Sequence, residues 1–284
     1  MAHKNKTKSL CKNSANLCQF YTKSCVAKKC YRLMCKKIQI NDFDYILEPS
    51  AGKGSFFNLL PKEKRIGLDI DPKCKDLIKM DFFEYEPKHE KTYLTIGNPP
   101  FGRVSNLAIK FFNKSCEFSK VIAFIVPRTF KRTSVQNKLN LNFHLIFNHD
   151  LPTKTCCFEP RMEAKCCFQI WERKSIARKI VELVTTHNHF EFLKLKERND
   201  KNQPIKPNGA DFVMKAYGSN CGQLVEEQNV IAPKNYHWIK SKIDKSILKE
   251  RFQCINYDIS KDTVRQDSLG KQDLILLYTL KYGS

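Results

Sequence analysis

The chain has 284 residues, 42% of them hydrophobic and 28% charged, an ordinary balance for a globular protein and enough for one large α/β domain with a smaller one. Its net charge of +21 and pI near 9.4 are not ordinary, and favour polyanions: nucleic acid first, an anionic membrane surface second. No apolar run approaches the roughly 18 residues of a membrane span, and no apolar segment follows the basic start, which excludes a secretory signal and predicts a soluble, intracellular protein.

Residues 1–37 hold ten Lys or Arg and no acid, and residues 1–17 read as a basic arm. Of the thirteen cysteines, Cys11, Cys18, Cys25, Cys30 and Cys35 lie early, at spacings of seven and five residues. No CxxC pair occurs, so reduced thiols packed as small apolar residues are expected rather than zinc ligands. The seven histidines are scattered, none at ligand spacing to a cysteine, and no metal site is predicted.

Gln19-Phe20-Tyr21-Thr22 precedes Val26, Ala27, Cys30, Leu33 and Met34, which share one face of a helix, with Thr22 as its candidate N-cap. Asp44-Tyr45-Ile46-Leu47-Glu48 reads as a strand entering the turn Pro49-Ser50-Ala51-Gly52-Lys53-Gly54, followed by a helical run through Phe56, Phe57, Leu59 and Leu60. Glycines at such a turn let a ligand approach the backbone, and a helix N-terminus would offer free N–H donors. The phosphate-cradling pattern GxxxxGK[ST] is absent. Arg65 to Asp71 is a second strand ending in acids. Asp69 or Asp71 is placed for ribose hydroxyls, the alternative for Asp71 being a helix N-cap before Pro72. Asp81 and Phe82 then offer an acid and a ring to a purine amine and face.

Tyr93-Leu94-Thr95-Ile96 reads as a buried strand that ends in Gly97-Asn98-Pro99-Pro100-Phe101-Gly102. Each proline fixes φ, removes a donor and pushes its predecessor out of helical space, so this loop is a stiff bracket. It holds one amide, Asn98, beside one ring, Phe101. An amide oxygen accepts from an amino group, and a ring stacks on a flat base. These motifs fall in one order, each at the carboxyl end of a strand, where open α/β sheets bind ligands.

Together they resemble the S-adenosylmethionine-dependent N6-adenine methyltransferases of the Asn-Pro-Pro-Phe/Tyr kind, over roughly residues 18–174. The resemblance implies a Rossmann-like, seven-stranded class I methyltransferase sheet and S-adenosylmethionine as cofactor. Phe20-Tyr21-Thr22 resembles the motif at the methionine end of that cofactor, and Glu48-Pro49-Ser50-Ala51-Gly52 the first cofactor loop. Asp69 with Ile70 matches the ribose site, and Asp81 with Phe82 the adenine site. Asn98-Pro99-Pro100-Phe101 matches the catalytic loop, Asn98 also touching cofactor. Phe124-Ile125-Val126-Pro127-Arg128-Thr129-Phe130 resembles the strand and turn after it. Phe158, with Cys167-Phe168-Gln169-Ile170-Trp171, resembles the closing hairpin, and Phe158 and Phe101 are the implied contacts to the target base. A motif placed before the first strand resembles the ordering common in DNA enzymes, so the implied partner is nucleic acid, DNA ahead of RNA. The alternatives are an RNA adenine methyltransferase or an inactive nucleic-acid-binding partner subunit; glutamine-type amide substrates suit the basic charge less well. Lys53, where many relatives carry a small or acidic residue, must snorkel outward.

Past Lys174 the pattern changes, and residues 175–284 are predicted to form a small α+β extension, serving either target recognition or as a lid. It reads as a helical stretch (Ile176, Ile180, Leu183, Val184), a loop at 199–204, a strand and Gly-flanked turn over 210–222, and a strand at 236–240. A basic helix over 242–252 and a final helix over 273–282 follow.

Overall fold

Seven strands in the order β4-β3-β2-β5-β6-β9-β7 make the main sheet, and their ranges follow from where β-branched and aromatic residues run between turns. In chain order the elements of this part, which include the separate short strands β1 and β8, are β1 (Tyr21–Thr22), α1 (Ser24–Cys35), β2 (Tyr45–Glu48), β3 (Arg65–Asp69), β4 (Ile78–Lys79), β5 (Tyr93–Gly97) and α2 (Asn106–Ser115). Then come β6 (Ser119–Pro127), α3 (Thr133–Gln136), β7 (Phe143–Asp150), β8 (Phe158–Glu159) and β9 (Cys166–Arg173). The computed structural model describes residues 20–153, 156–195 and 198–283; the predicted basic arm, with Cys11 and Cys18, lies outside them. Strands β4 to β6 are parallel to their neighbours, while β9 runs antiparallel between β6 and β7. This is the strand order, with its single reversed strand, of the Rossmann-like class I methyltransferase sheet.

The chain divides into two compact units. One holds the residues up to Pro127 together with Leu139–Arg178; the other holds Arg128–Lys138 together with the residues from Lys179 on. In the first unit, α1 buries Ala27, Cys30 and Met34 against Ile46, Leu94, Ile96, Ala123 and Ile170 of the sheet. On α2, Phe112 packs edge-on to Trp171 and Phe143, with ring centroids at 5.4 and 5.9 Å.

Three expectations within this unit are corrected. Thr22 does not cap α1: it belongs to β1, and Lys23 stands at the N-cap with no side-chain hydrogen bond. The run through Phe56 and Leu60 is only a 3₁₀ turn, Phe57–Leu59, because Pro61 forces Leu60 into extended backbone before a second turn can form. Nor does a helix follow Asp71, whose capping role falls away.

The closing hairpin is β7 with β9, and Phe158 is not in it. Strand β8 instead forms a two-stranded ladder with β1, Tyr21 opposite Glu159 and Thr22 opposite Phe158. The stretch around Ile176 to Val184 is not helical. Its backbone donors go sideways, Lys174 N to Asn142 O at 2.7 Å and Arg178 N to Leu141 O at 2.8 Å, and Ile176 is left 78% exposed.

The second unit is α+β. Strands β10 (Phe190–Phe192), β11 (Phe212–Lys215), β12 (Leu224–Val225) and β13 (Tyr236–Ser241) form an antiparallel sheet in the order β10-β13-β11-β12. Helices α4 (Lys245–Gln253) and α5 (Lys271–Tyr282) place Leu248, Phe252, Leu274, Ile275 and Tyr278 on one core with Phe190, Met214 and Ile239. Asp244 caps α4, accepting from the N–H groups of Ser246 and Ile247. Arg132, from the segment before α3, belongs to this unit: it donates to Asp262 O at 2.7 Å, Ile259 O at 3.3 Å and Asp273 Oδ2 at 3.2 Å.

Among the described residues the cysteines are free thiols, and no cluster of His, Cys, Asp or Glu could hold a metal ion. Burial pushes the Cys30 thiol up to about 12, as expected of a packing residue. No helix among the described residues is long and apolar enough to cross a membrane.

Candidate active site

The strand order reverses between β2 and β5, with β3 and β4 to one side and β6 onward to the other. Ligands of open α/β sheets bind outside the carboxyl ends of strands at such a switch point. Two loops leave the sheet there. Residues 49–54 follow β2 and residues 98–102 follow β5, and the parallel register that pairs Leu47 with Thr95 sets them side by side.

The first loop is shaped by Gly52 and Gly54, at φ +49° and +75°. At Gly52 a Cβ would lie 2.7 Å from the ring of Tyr21, so conformation and close approach both require glycine. Its N–H donates to Asp69 Oδ2 at 2.7 Å, and the N–H of Asp71 donates to Asp69 Oδ1 at 2.8 Å. A carboxylate has about four acceptor positions. Asp69 thus ties the end of β3 to the first loop and keeps capacity for a pair of hydroxyls. Ile70 is exposed beside it.

Glu48, at the end of β2, is 2% exposed and accepts from the N–H of Phe57 at 2.7 Å. Burial holds its carboxyl well above the usual carboxylate range, and its bond to Phe57 props the loop. Lys53 does point outward, with Nζ 4.9 Å from the centroid of the Tyr21 ring and 3.5 Å from Glu159 Oε2.

The second loop holds Asn98. Its Nδ2 donates to the carbonyl of Phe20 at 3.1 Å, and its own carbonyl accepts from Ser50 Oγ at 3.3 Å. Its Oδ1 is buried and has no hydrogen-bond partner among the described residues, and the same holds for Thr22 Oγ1. Both residues line one cleft with Phe20, Tyr21, Glu48 and Ser50. Buried orphan polar atoms in a native fold need a reason, since each costs roughly 1–3 kcal/mol. A ligand that donates hydrogen bonds supplies one. The carbonyl of Phe101 accepts from Leu107 N at 3.2 Å and Ala108 N at 3.3 Å, folding the loop back onto α2. Past Phe101 the backbone is left-handed at Gly102, Val104 and Ser105.

The structure thus brings together Phe20, Tyr21, Thr22, Glu48, Pro49, Ser50, Ala51, Gly52, Asp69 and Asn98. Phe82 and Phe158 are placed otherwise. Phe82 is 1% exposed, stacked on Phe111 at 5.1 Å, and the ring open to solvent is its neighbour Phe83; Asp81 caps the short turn that carries both. Phe158 is a core ring packed in the α1 layer, whereas Phe101 is only partly buried. Ser55, which lines the cleft and donates to the Thr22 carbonyl at 2.5 Å, was missed, as was the β1–β8 ladder. A two-residue strand carries no periodicity that could announce it.

No family model and no curated protein matches this chain. Among solved structures, similarity is found to a Pyrococcus horikoshii protein described as an RNA methyltransferase, with 18% identity and TM-score 0.43 over 60% of this chain and 93% of that one. The 23S rRNA methyltransferase ErmE gives 13% identity and TM-score 0.39 over 57% and 72%. A Listeria monocytogenes protein described as a class I S-adenosylmethionine-dependent methyltransferase gives 18% and 0.41 over 58% and 64%. Likeness at this level assigns neither substrate nor activity, and the fold rests on the strand order itself.

Proposed function

We propose that the chain is an S-adenosylmethionine-dependent methyltransferase acting on the exocyclic N6 amine of adenine in nucleic acid, DNA by the order of its motifs. The observation that carries this reading is the buried Oδ1 of Asn98, without a partner among the described residues, on a loop stiffened by Pro99 and Pro100. The cleft suits the cofactor: Asp69 has acceptor capacity for the ribose diol, Gly52 allows close approach to the backbone, and Thr22 Oγ1 needs a partner. When bound, S-adenosylmethionine supplies a methyl already activated on a sulfonium.

The work left for the protein is to prepare a poor nucleophile. The lone pair of the adenine amine is delocalised into the ring. Accepting one amine hydrogen at Asn98 Oδ1 and the other at the Pro99 carbonyl favours a pyramidal nitrogen and aims its lone pair. This is stabilisation by fixed dipoles together with positioning. Phe101 would hold the base by stacking, worth about 1–3 kcal/mol, and in a duplex the base must first be flipped out at a cost of a few kcal/mol.

The test is transfer of labelled methyl from S-adenosylmethionine to duplex DNA, single-stranded DNA and structured RNA, with nucleoside analysis of the product. N6-methyladenine on DNA is the expected result, and label on RNA alone would replace the substrate. Asn98→Ala should lower turnover by at least about a hundredfold, the scale of losing one placed donor or acceptor, while calorimetric cofactor affinity stays within a few-fold. Label on no substrate, with cofactor still bound, would overturn the enzyme reading in favour of a binding subunit.

A further inference from the structure

We infer that the exposed face of α1 is the track that grips the phosphate backbone of the nucleic-acid substrate. This rests on the reading above and adds where the strand lies. Helix α1 buries Ala27, Cys30 and Met34 and turns Lys28, Lys29 and Arg32 to solvent, as does its C-cap Lys36, with no acid among its residues. Lys28, Arg32 and Lys36 follow one another at intervals of four residues, so they form a line with steps of about 6 Å.

Folding explains only part of this arrangement: Arg32 and Lys36, at the carboxyl end, suit the helix dipole, whereas Lys28, Lys29 and the N-cap lysine do not. Like charges four residues apart disfavour a helix. The first turn carries no acid, and a lysine occupies the N-cap, the end where the helix dipole favours negative charge. None of the four cations has an ion-pair partner among the described residues. A local rule broken without internal compensation points to an external partner, and four unpaired cations in a line are complementary to a polyanion.

The position of α1 identifies which polyanion. The helix begins two residues after Thr22, and Phe20, just upstream, accepts the hydrogen bond that fixes the Asn98 amide. The line of cations therefore starts beside the cleft and leads away from it, as the backbone flanking a target base must.

The test compares two charge-matched variants of the full chain. One is Lys28→Gln/Arg32→Gln/Lys36→Gln; the other removes three exposed lysines elsewhere on the same unit, Lys62→Gln/Lys75→Gln/Lys120→Gln. Binding to a labelled 30-mer oligonucleotide, single-stranded and duplex, is measured by anisotropy across a salt series. Losing three phosphate contacts should flatten the slope of log Kd against log salt by about 2–3 and weaken binding at least about tenfold near physiological salt. The control triple should move neither by as much. Lys28→Arg/Lys36→Arg should retain the wild-type slope, and cofactor affinity should be unchanged in every variant, which shows that each is folded. If wild type binds and methylates nucleic acid but both triples lose affinity equally, the track is refuted and the proposed function stands. If wild type binds no nucleic acid, both fall. Loss of binding only to vesicles of anionic phospholipid would also refute the track.

Discussion

The bond from Asn98 Nδ2 to the Phe20 carbonyl decides which atom of the amide faces the cleft, and it leaves the acceptor rather than the donor there. Ser50, holding the Asn98 carbonyl, fixes the backbone behind it. Residue-scale chemistry around the loop after β2 is equally interlocked, and two substitutions separate its parts. Gly52→Ala puts a methyl into the Tyr21 ring and strains a positive φ, so we expect it to lower stability by about 1–2 kcal/mol and to weaken cofactor binding. Asp69→Ala strands the N–H groups of Gly52 and Asp71 and removes the acceptor proposed for the diol. Calorimetry should show a cofactor Kd at least about tenfold weaker, the effect of losing one or two charge-assisted hydrogen bonds. Unchanged affinity would remove Asp69 from the ribose.

At the scale of elements, what was legible in the sequence was whatever had a period or a rigid residue. Strand β5 and its loop were readable because an apolar run meets two prolines, and α1, α4 and α5 because apolar residues recur on one face. The gap between a Gly-rich turn and Pro61 was too short for the helix that Phe56 to Leu60 suggested, since a proline acts on the residue before it and cuts the run from downstream. Ile176 to Val184 has helical spacing without helical bonding. Its Arg178 and Val181 N–H groups are committed to Leu141 O and the side chain of Asn137, contacts no local pattern records. Phe82 and Phe158 illustrate the other limit: a motif specifies residue type, and tertiary packing decides whether the ring faces a ligand or the core.

Strand β13 carries an element-scale prediction of its own. Burial pushes the His237 imidazole down to about 4, against the acceptor Leu269 O at 2.7 Å. Unfolded, it titrates near its ordinary value of 6.5. Folded and unfolded forms are both neutral above that value, so stability is complete there. It is lost as pH falls from about 6.5 toward 4, by about 3 kcal/mol in all, because only the unfolded chain takes up the proton. Urea melts of wild type should show that decline, and His237→Gln should flatten it.

For the whole molecule, a net charge of +21 ties any nucleic-acid affinity to ionic strength, and the two units differ in what holds them. The first rests on a seven-stranded sheet, the second on a small sheet with a largely buried ion pair, Arg132 with Asp273, at its helical end. Arg132→Met leaves Asp273 and three carbonyls short of a donor, which should cost about 3–5 kcal/mol and lower Tm by on the order of 10 °C. Retention of wild-type Tm would show that the pair is dispensable.

The excursion of Arg128–Lys138 into the second unit has a consequence for synthesis. The partners of Arg132 lie 127 to 141 residues further along the chain, so the segment leaves the ribosome long before anything exists to receive it. The first sheet is interrupted at the same point, since β7 and β9 follow the excursion. A nascent chain therefore closes the first unit only once β9 has emerged, while the Arg128–Lys138 segment, made earlier, waits for the rest of the second. Each waits on a later stretch, the second almost until α5 has emerged, and in that interval the apolar edge of β6 needs shelter from neighbouring chains.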